Sequence, residues 1–174
     1  MHVSPLTAQD ARRYRELMLH AYEVAADAFT STPEQRAAEP ESWWIKRIAD
    51  PTGMSLAFGA FEGEELVGTV TVEFSAKSKT SHKAHIIGMF VCTAARGLGA
   101  GKALLDAALE AARSRPGILV VTLTVTEGNA PAIRLYESCG FKSFGVEPMA
   151  IATPSGFKSK VHMWLQVQRA SSAA

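Results

Sequence analysis

Three alternate glycines, Gly97, Gly99 and Gly101, stand between a β-rich run ending at Val91 and a helix-forming stretch that begins near Ala100. Glycine removes the side chain where backbone must approach a ligand closely. The first turn of a helix adds unpaired N–H groups at the positive end of its dipole. Arg96, Gly97, Leu98, Gly99, Ala100, Gly101 and Lys102 therefore read as a cradle for a diphosphate. A nucleoside triphosphate site of the P-loop kind needs Ser or Thr after its lysine, and Ala103 follows Lys102. The dinucleotide fingerprint needs G-x-G-x-x-G and an acidic residue after the next strand; the spacing here is G-x-G-x-G without one.

Periodicity supplies the elements that must position this cradle. Thr7 and Asp10 make a capping arrangement, and Ala11, Tyr14, Met18, Ala21 and Ala25 recur at helical spacing, which predicts a helix to about Val24. Thr32, Pro33 and Gln35 start a second helix, broken by Pro40 before Trp43, Trp44 and Ile48. Met54 to Phe61 and Leu66 to Phe74 alternate as a hairpin, and Ala84 to Val91 follows as a third strand. Ala100 to Arg113 is an amphipathic helix, and the apolar run Ile118 to Val125 is a buried central strand, so the cradle lies inside a right-handed βαβ unit. Asn129 caps a short helix that carries Pro131 and stops at Gly140. Phe141 to Ile151 and Val161 to Val167 form a last pair of strands around the turn at Thr153 to Gly156.

A chain of 174 residues predicts one domain over residues 1–168, with 169–174 as a frayed tail. Eighteen basic against seventeen acidic residues leave a charge of +1, which points to neither nucleic acid nor membrane. Cys92 and Cys139 lack the spacing of a metal or redox site, so no metal is expected. No apolar run is long enough to cross a bilayer and residues 1–5 do not open like a signal peptide, which predicts a cytoplasmic protein.

With Arg96 the glycine turn reads Arg-x-x-Gly-x-Gly. Together with Phe61, Glu62 and Gly63, with Val67 and Gly68, and with the run Asn129 to Phe141, it closely resembles the GNAT superfamily of acetyltransferases over most of the chain. The resemblance implies an α/β fold: a mixed sheet of six to seven strands with helices on both faces and splayed central parallel strands, the first of them bulged near Val91. It implies an N-acetyltransferase that moves acetyl directly from acetyl-CoA to an amine. The amides of Arg96 to Lys102 would hold the coenzyme A diphosphate, and backbone groups of Met89, Phe90 and Val91 would pair with the pantetheine arm. Asn129 would contact that arm, and Tyr136 would act as general acid toward the leaving thiolate. Seven residues separate Asn129 from Tyr136, which places them on nearly one helical face roughly 10 Å apart, within reach of one extended ligand.

For the general base, some histone-acetylating relatives use a glutamate at a place similar to His85, and an imidazole with pKa near 6.5 can accept a proton at neutral pH. Alternation puts His85, Ile87, Met89 and Val91 on one face unless a bulge intervenes. Glu73, Glu127 and a water chain are competing bases. Thr93 stands where the family often has proline. Thr124 replaces a glutamate that serves as base in some relatives acetylating protein N-termini. The acceptor is expected between the N-terminal helices and the last hairpin, near Phe29, Trp43, Trp44, Phe157 and Trp164. Without an acidic cluster there, a small-molecule amine (metabolite, amino acid or xenobiotic) is expected rather than a polycation. A non-catalytic acyl-CoA sensor is the alternative reading, and homodimer formation is left open.

Overall fold

A computed structural model describes residues 1–167. The predicted tail, 169–174, lies outside the described residues. Seven strands form one sheet: β1 (His2–Pro5), β2 (Ser55–Glu62), β3 (Glu65–Phe74), β4 (Lys83–Val91), β5 (Val120–Thr126), β6 (Lys142–Thr153) and β7 (Gly156–Gln166), in the order β1-β2-β3-β4-β5-β7-β6. Every neighbouring pair is antiparallel except β4 and β5.

Helix α1 (Ala11–Val24) and the short helices α2 (Pro33–Ala37) and α3 (Glu41–Ile48) lie on one side of the sheet; α4 (Ala100–Ser114) and α5 (Ala130–Ser138) lie on the other. The two cores follow from strand alternation. Val70, Val72, Ile86, Val121 and Leu123 pack with Leu104, Leu105, Ala108 and Leu109 of α4. Ala57, Phe61, Leu66 and Phe90 pack with Tyr14, Leu17 and Met18 of α1 and with Trp44 and Ile48 of α3. The helix starts form as their caps predict: Thr32 Oγ1 accepts the Gln35 amide, and Asn129 Oδ1 accepts the Ala132 amide.

Strand β1 was not legible in the sequence. Four residues ending in proline carry no alternation, and Pro5 is tolerated because β1 is an edge strand. The final hairpin is also longer than predicted, running to the Thr153–Gly156 turn on both sides.

Strands β4 and β5 make the opening for the site. Their parallel register covers only Lys83 to His85 against Val120 to Thr122. Beyond it the strands part, while β5 stays paired to β7 along its whole length. The backbone groups on the facing edges of Ile86–Val91 and Leu123–Thr126 are thereby left without a strand partner.

The bulge in β4, expected near Val91, lies at Gly88–Met89, two to three residues earlier. Thr69 pairs with Phe90 and Thr71 with Ile87, so three steps on β4 oppose two on β3. Gly88 has φ of 60°, a left-handed conformation that glycine adopts without a Cβ penalty, and this fixes where the extra residue sits. The bulge also reverses alternation. Met89 and Val91 join the core under α4, whereas His85 stays on the face that carries α3.

Candidate active site

The parted strands open a cleft of about 1090 Å³ that passes from one face of the sheet to the other. That is at the upper end of the volumes typical of small-molecule sites, about 300–1,000 Å³, enough for a long ligand and a second, smaller one. Its wall includes Ile87 to Val91 of β4 and Leu123 to Thr126 of β5. The mouth on the α4 and α5 side is formed by the glycine turn with Asn129 and Tyr136, and the opposite mouth by Tyr22, Phe29, Arg36 and Arg47.

At the first mouth, Gly97 and Gly99 have φ of 77° and 83°, and a Cβ on either would meet no atom within 4 Å. The two left-handed residues turn the chain from the short helical turn at Thr93–Ala95 into α4. Among the described residues, the amides of Gly97 to Lys102 have no backbone acceptor; the first bond of α4 runs from the Ala103 amide to Gly99 O, 3.0 Å. Six N–H groups at a helix N-terminus make a strong anion cradle. Gly101 has a different function from the other two: a Cβ there would stand 3.2 Å from Leu135 Cδ2, so its missing side chain brings α4 and α5 together. Arg96 Nε donates to Val91 O at 3.0 Å and ties the turn to the end of β4. Lys102 turns its ammonium to Asp106 at 2.6 Å, and Leu98 is exposed outside the cleft wall.

Asn129 uses Oδ1 to cap α5, which leaves its amide N–H groups toward the cleft that it lines. Two turns further on, Tyr136 is 6% exposed and packs edge-on against Phe141. Burial, with no opposing charge or hydrogen bond, pushes its hydroxyl pKa from 10.0 up to about 12. The proton therefore stays on Tyr136 at every physiological pH.

His85 is half-buried and lies outside the cleft wall, in a row of strand partners Glu73, His85, Thr122 and Trp164. Its Nδ1 is 2.8 Å from Thr122 Oγ1, which in turn has Ala84 O at 3.5 Å. If Thr122 donates to Ala84, Nδ1–H donates to Thr122 and Nε2 remains as acceptor, an assignment that rests on this network. Burial lowers the His85 pKa below 6.5, against an upward pull from Glu73. The ring is neutral at pH 7. Glu73 itself accepts from Arg47 Nη1 at 3.1 Å, and Glu127 lines the cleft.

Of the five aromatic residues expected around the acceptor, Phe29 lines the cleft. Trp44 is 1% exposed in the core, Trp43 stacks with arginines behind the wall, and Phe157 and Trp164 face solvent on β7. Tyr22, Arg36, Arg47, Asp27 and Lys158 take their place, residues with no local sequence signal. Cys92 and Cys139 also lie outside the wall, and burial raises the Cys92 pKa, which keeps its thiol protonated. Among the described residues there is no group of His, Cys, Asp and Glu that could hold a metal ion, and no helix is long and apolar enough to cross a membrane.

Comparison with known proteins agrees with this geometry. The chain is 33% identical over 139 residues to the mycothiol acetyltransferase of Thermomonospora curvata, covering 75% of this chain and 42% of that protein. It is 29% identical over 102 residues to the L-amino acid N-acetyltransferase AaaT of Escherichia coli, covering 59% of this chain and 62% of that one. The match thus spans less than half the length of the mycothiol acetyltransferase. In fold, it superposes on yncA from Salmonella typhimurium, solved with its cofactor acetyl-CoA, with a TM-score of 0.80 at 21% identity over 100% of this chain and 98% of the other. A GCN5-related N-acetyltransferase from Kribbella flavida gives a TM-score of 0.80 at 22% identity, covering 95% and 97%. Residues 15–141 match the acetyltransferase (GNAT) family, and with the glycine turn, the parted central strands and α5 all inside that span, the chain belongs to this family.

Proposed function

We propose that this chain transfers an acetyl group from acetyl-CoA to the amine of a small molecule by direct attack. One observation carries the reading: a continuous cleft joins the free amides of the glycine turn on one side of the sheet to a separate polar mouth on the other. The residues fit the cofactor. Gly97 to Lys102 hold the diphosphate through their amides, and Arg96 keeps that turn fixed to β4. The open edge of Met89, Phe90 and Val91 receives the pantetheine arm, with the Val91 carbonyl already engaged by Arg96. Asn129 donates its amide N–H to the same arm. When bound, acetyl-CoA supplies an activated acyl group whose leaving atom is sulfur.

Tyr136 Oη serves that sulfur. A thiol of ordinary acidity has a pKa near 8.5, so full proton transfer from a tyrosine near 12 runs uphill by about 5 kcal/mol. Tyr136 therefore stabilises the departing thiolate chiefly as a fixed hydrogen-bond donor. On the other face, an amine must lose a proton before or during attack. His85 Nε2, neutral at pH 7, takes that proton through water, because the ring does not itself line the cleft. Glu127 is the competing base, since it does line the cleft, whereas Glu73 is held by Arg47.

The test is calorimetric titration with acetyl-CoA followed by thiol release across a panel of small amines. Binding with amine-dependent thiol release supports transfer; binding without release on any amine leaves a sensor and refutes it. Gly99→Glu places bulk and negative charge in the open space over the cradle and is expected to abolish acetyl-CoA binding. A folded Gly99→Glu protein that binds as tightly as wild type overturns the cradle assignment.

A further inference from the structure

The mouth opposite the glycine turn is built around two arginines. Arg36 from α2 and Arg47 from α3 both line it, with side chains only 25% and 24% exposed. Trp43 supports both: the Arg36 guanidinium lies 4.4 Å from its ring centroid and the Arg47 guanidinium 5.6 Å. Arg36 Nε donates to Ser31 Oγ at 2.9 Å, and Arg47 Nη1 donates to Glu73 Oε1 at 3.1 Å. An arginine carries five N–H donors in a planar fork, so each keeps most of its donors. Each has one carboxylate partner, Glu73 at 3.1 Å from Arg47 and Glu39 at 3.7 Å from Arg36, and neither pair uses both arms of the guanidinium fork. Asp27 is paired with Lys158, and Lys160 and Glu23 add one further charge of each sign to the cleft wall.

Two half-buried guanidinium groups held against one indole with N–H donors to spare can take a further planar anion. Their position says what that anion belongs to. The Arg47 charge acts on the Tyr14 hydroxyl, and Tyr14 Oη lies 3.9 Å from where a Cβ on Gly88 would stand. Tyr14 thus stands between Arg47 and the β4 bulge, which lines the same cleft as both arginines and beside which the proposed transfer takes place.

We infer that Arg36 and Arg47 together bind a carboxylate on the acceptor, which makes the acceptor a small amine bearing an acid group, as in an α-amino acid. This inference rests on the acetyl-transfer reading of the cleft. The planar carboxylate accepts from both forks, a geometry that lysine could not reproduce.

The experiment titrates the protein, loaded with coenzyme A, with N-acetyl-alanine, N-acetyl-leucine, N-acetyl-methionine and N-acetyl-glutamine and with the carboxamide of each. These are products of the proposed reaction, so no turnover is needed. At least one acid is expected to bind about 10-fold or more tighter than its amide, the scale of a charged hydrogen bond. Arg36→Gln and Arg47→Gln are each expected to cut acid affinity about 10- to 100-fold while amide and coenzyme A affinities hold. Coenzyme A affinity reports that each variant is folded, and Arg36→Gln, on the short outer helix, guards against misfolding of Arg47→Gln. Equal affinity for acid and amide in the wild-type protein, or binding of neither, overturns the inference. Thiol release from acetyl-CoA distinguishes the two claims. Acid-selective binding without release on any amine refutes transfer and keeps the carboxylate site, whereas equal release with acids and amides refutes the site and keeps transfer.

Discussion

Replacing Gly88 by alanine probes the feature on which the geometry of the cleft depends. Gly88 holds φ of 60° at the bulge of β4, and an added Cβ would lie 3.7 Å from Thr71 Oγ1 and 3.9 Å from Tyr14 Oη, both ordinary contacts. Crowding is therefore negligible, and the cost is the left-handed backbone, about 1–2 kcal/mol for a residue with a Cβ. In a chain of this size each kcal/mol moves Tm by about 2–4 °C, so Gly88→Ala is expected to lower Tm by about 2–8 °C. Gly145→Ala is the matched control. Gly145 is in strand β6, lacks a positive φ and has no atom within 4 Å of where a Cβ would stand, so the same change there is neutral or stabilising by up to about 1 kcal/mol. Relief of the strain by straightening β4 would return Met89 and Val91 to the face of His85, and acetyl-CoA affinity is expected to fall with it. Differential scanning calorimetry of both variants with calorimetric acetyl-CoA titration measures both effects. A Gly88→Ala protein as stable as Gly145→Ala, with full acetyl-CoA affinity, refutes the assignment of the bulge as the device that directs β4 into the cleft.

Tyr136→Phe is expected to lower kcat by about 100- to 1,000-fold, the scale of one lost hydrogen-bond donor to developing charge, with little change in acetyl-CoA affinity; unchanged thiol release removes Tyr136 from the reaction. Because folding raises the Tyr136 pKa from 10.0 to about 12, its contribution to stability is intact below pH 10 and is lost as pH rises through 12, about 3 kcal/mol in all. Urea unfolding at pH 9.5 and at pH 12 should show Tyr136→Phe losing that much less than wild type; equal losses contradict a buried, unpaired hydroxyl. For His85 the sign is opposite: burial depresses its pKa, so its contribution is intact above 6.5 and is lost as pH falls below that value. His85→Ala should therefore flatten the acid side of the stability curve and shift the acidic limb of kcat/KM, with acetyl-CoA affinity preserved. A rate profile that superimposes on wild type transfers the base role to Glu127.

The cofactor half of the site was legible because its determinants are local. Glycines that must turn left-handed, a helix start with free amides, and Asn129 and Tyr136 two turns apart all act within a few residues of one another, so composition and spacing record them. The sheet itself was legible wherever burial imposes alternation, as in β2 and β3, or an unbroken apolar run, as in β5. The acceptor half was not, because Tyr22, Arg36, Arg47 and Lys158 come from α1, α2, α3 and β7 and meet only when those helices pack on the sheet. Trp43 and Arg47 share α3 at i,i+4 spacing, but no spacing in the sequence brings Glu73 of β3 or Arg36 of α2 against them. The face on which His85 lies, and the reversal of Met89 and Val91, likewise turned on one extra residue at Gly88. A period-two pattern cannot show where a bulge falls, since only pairing with β3 defines which residue is extra.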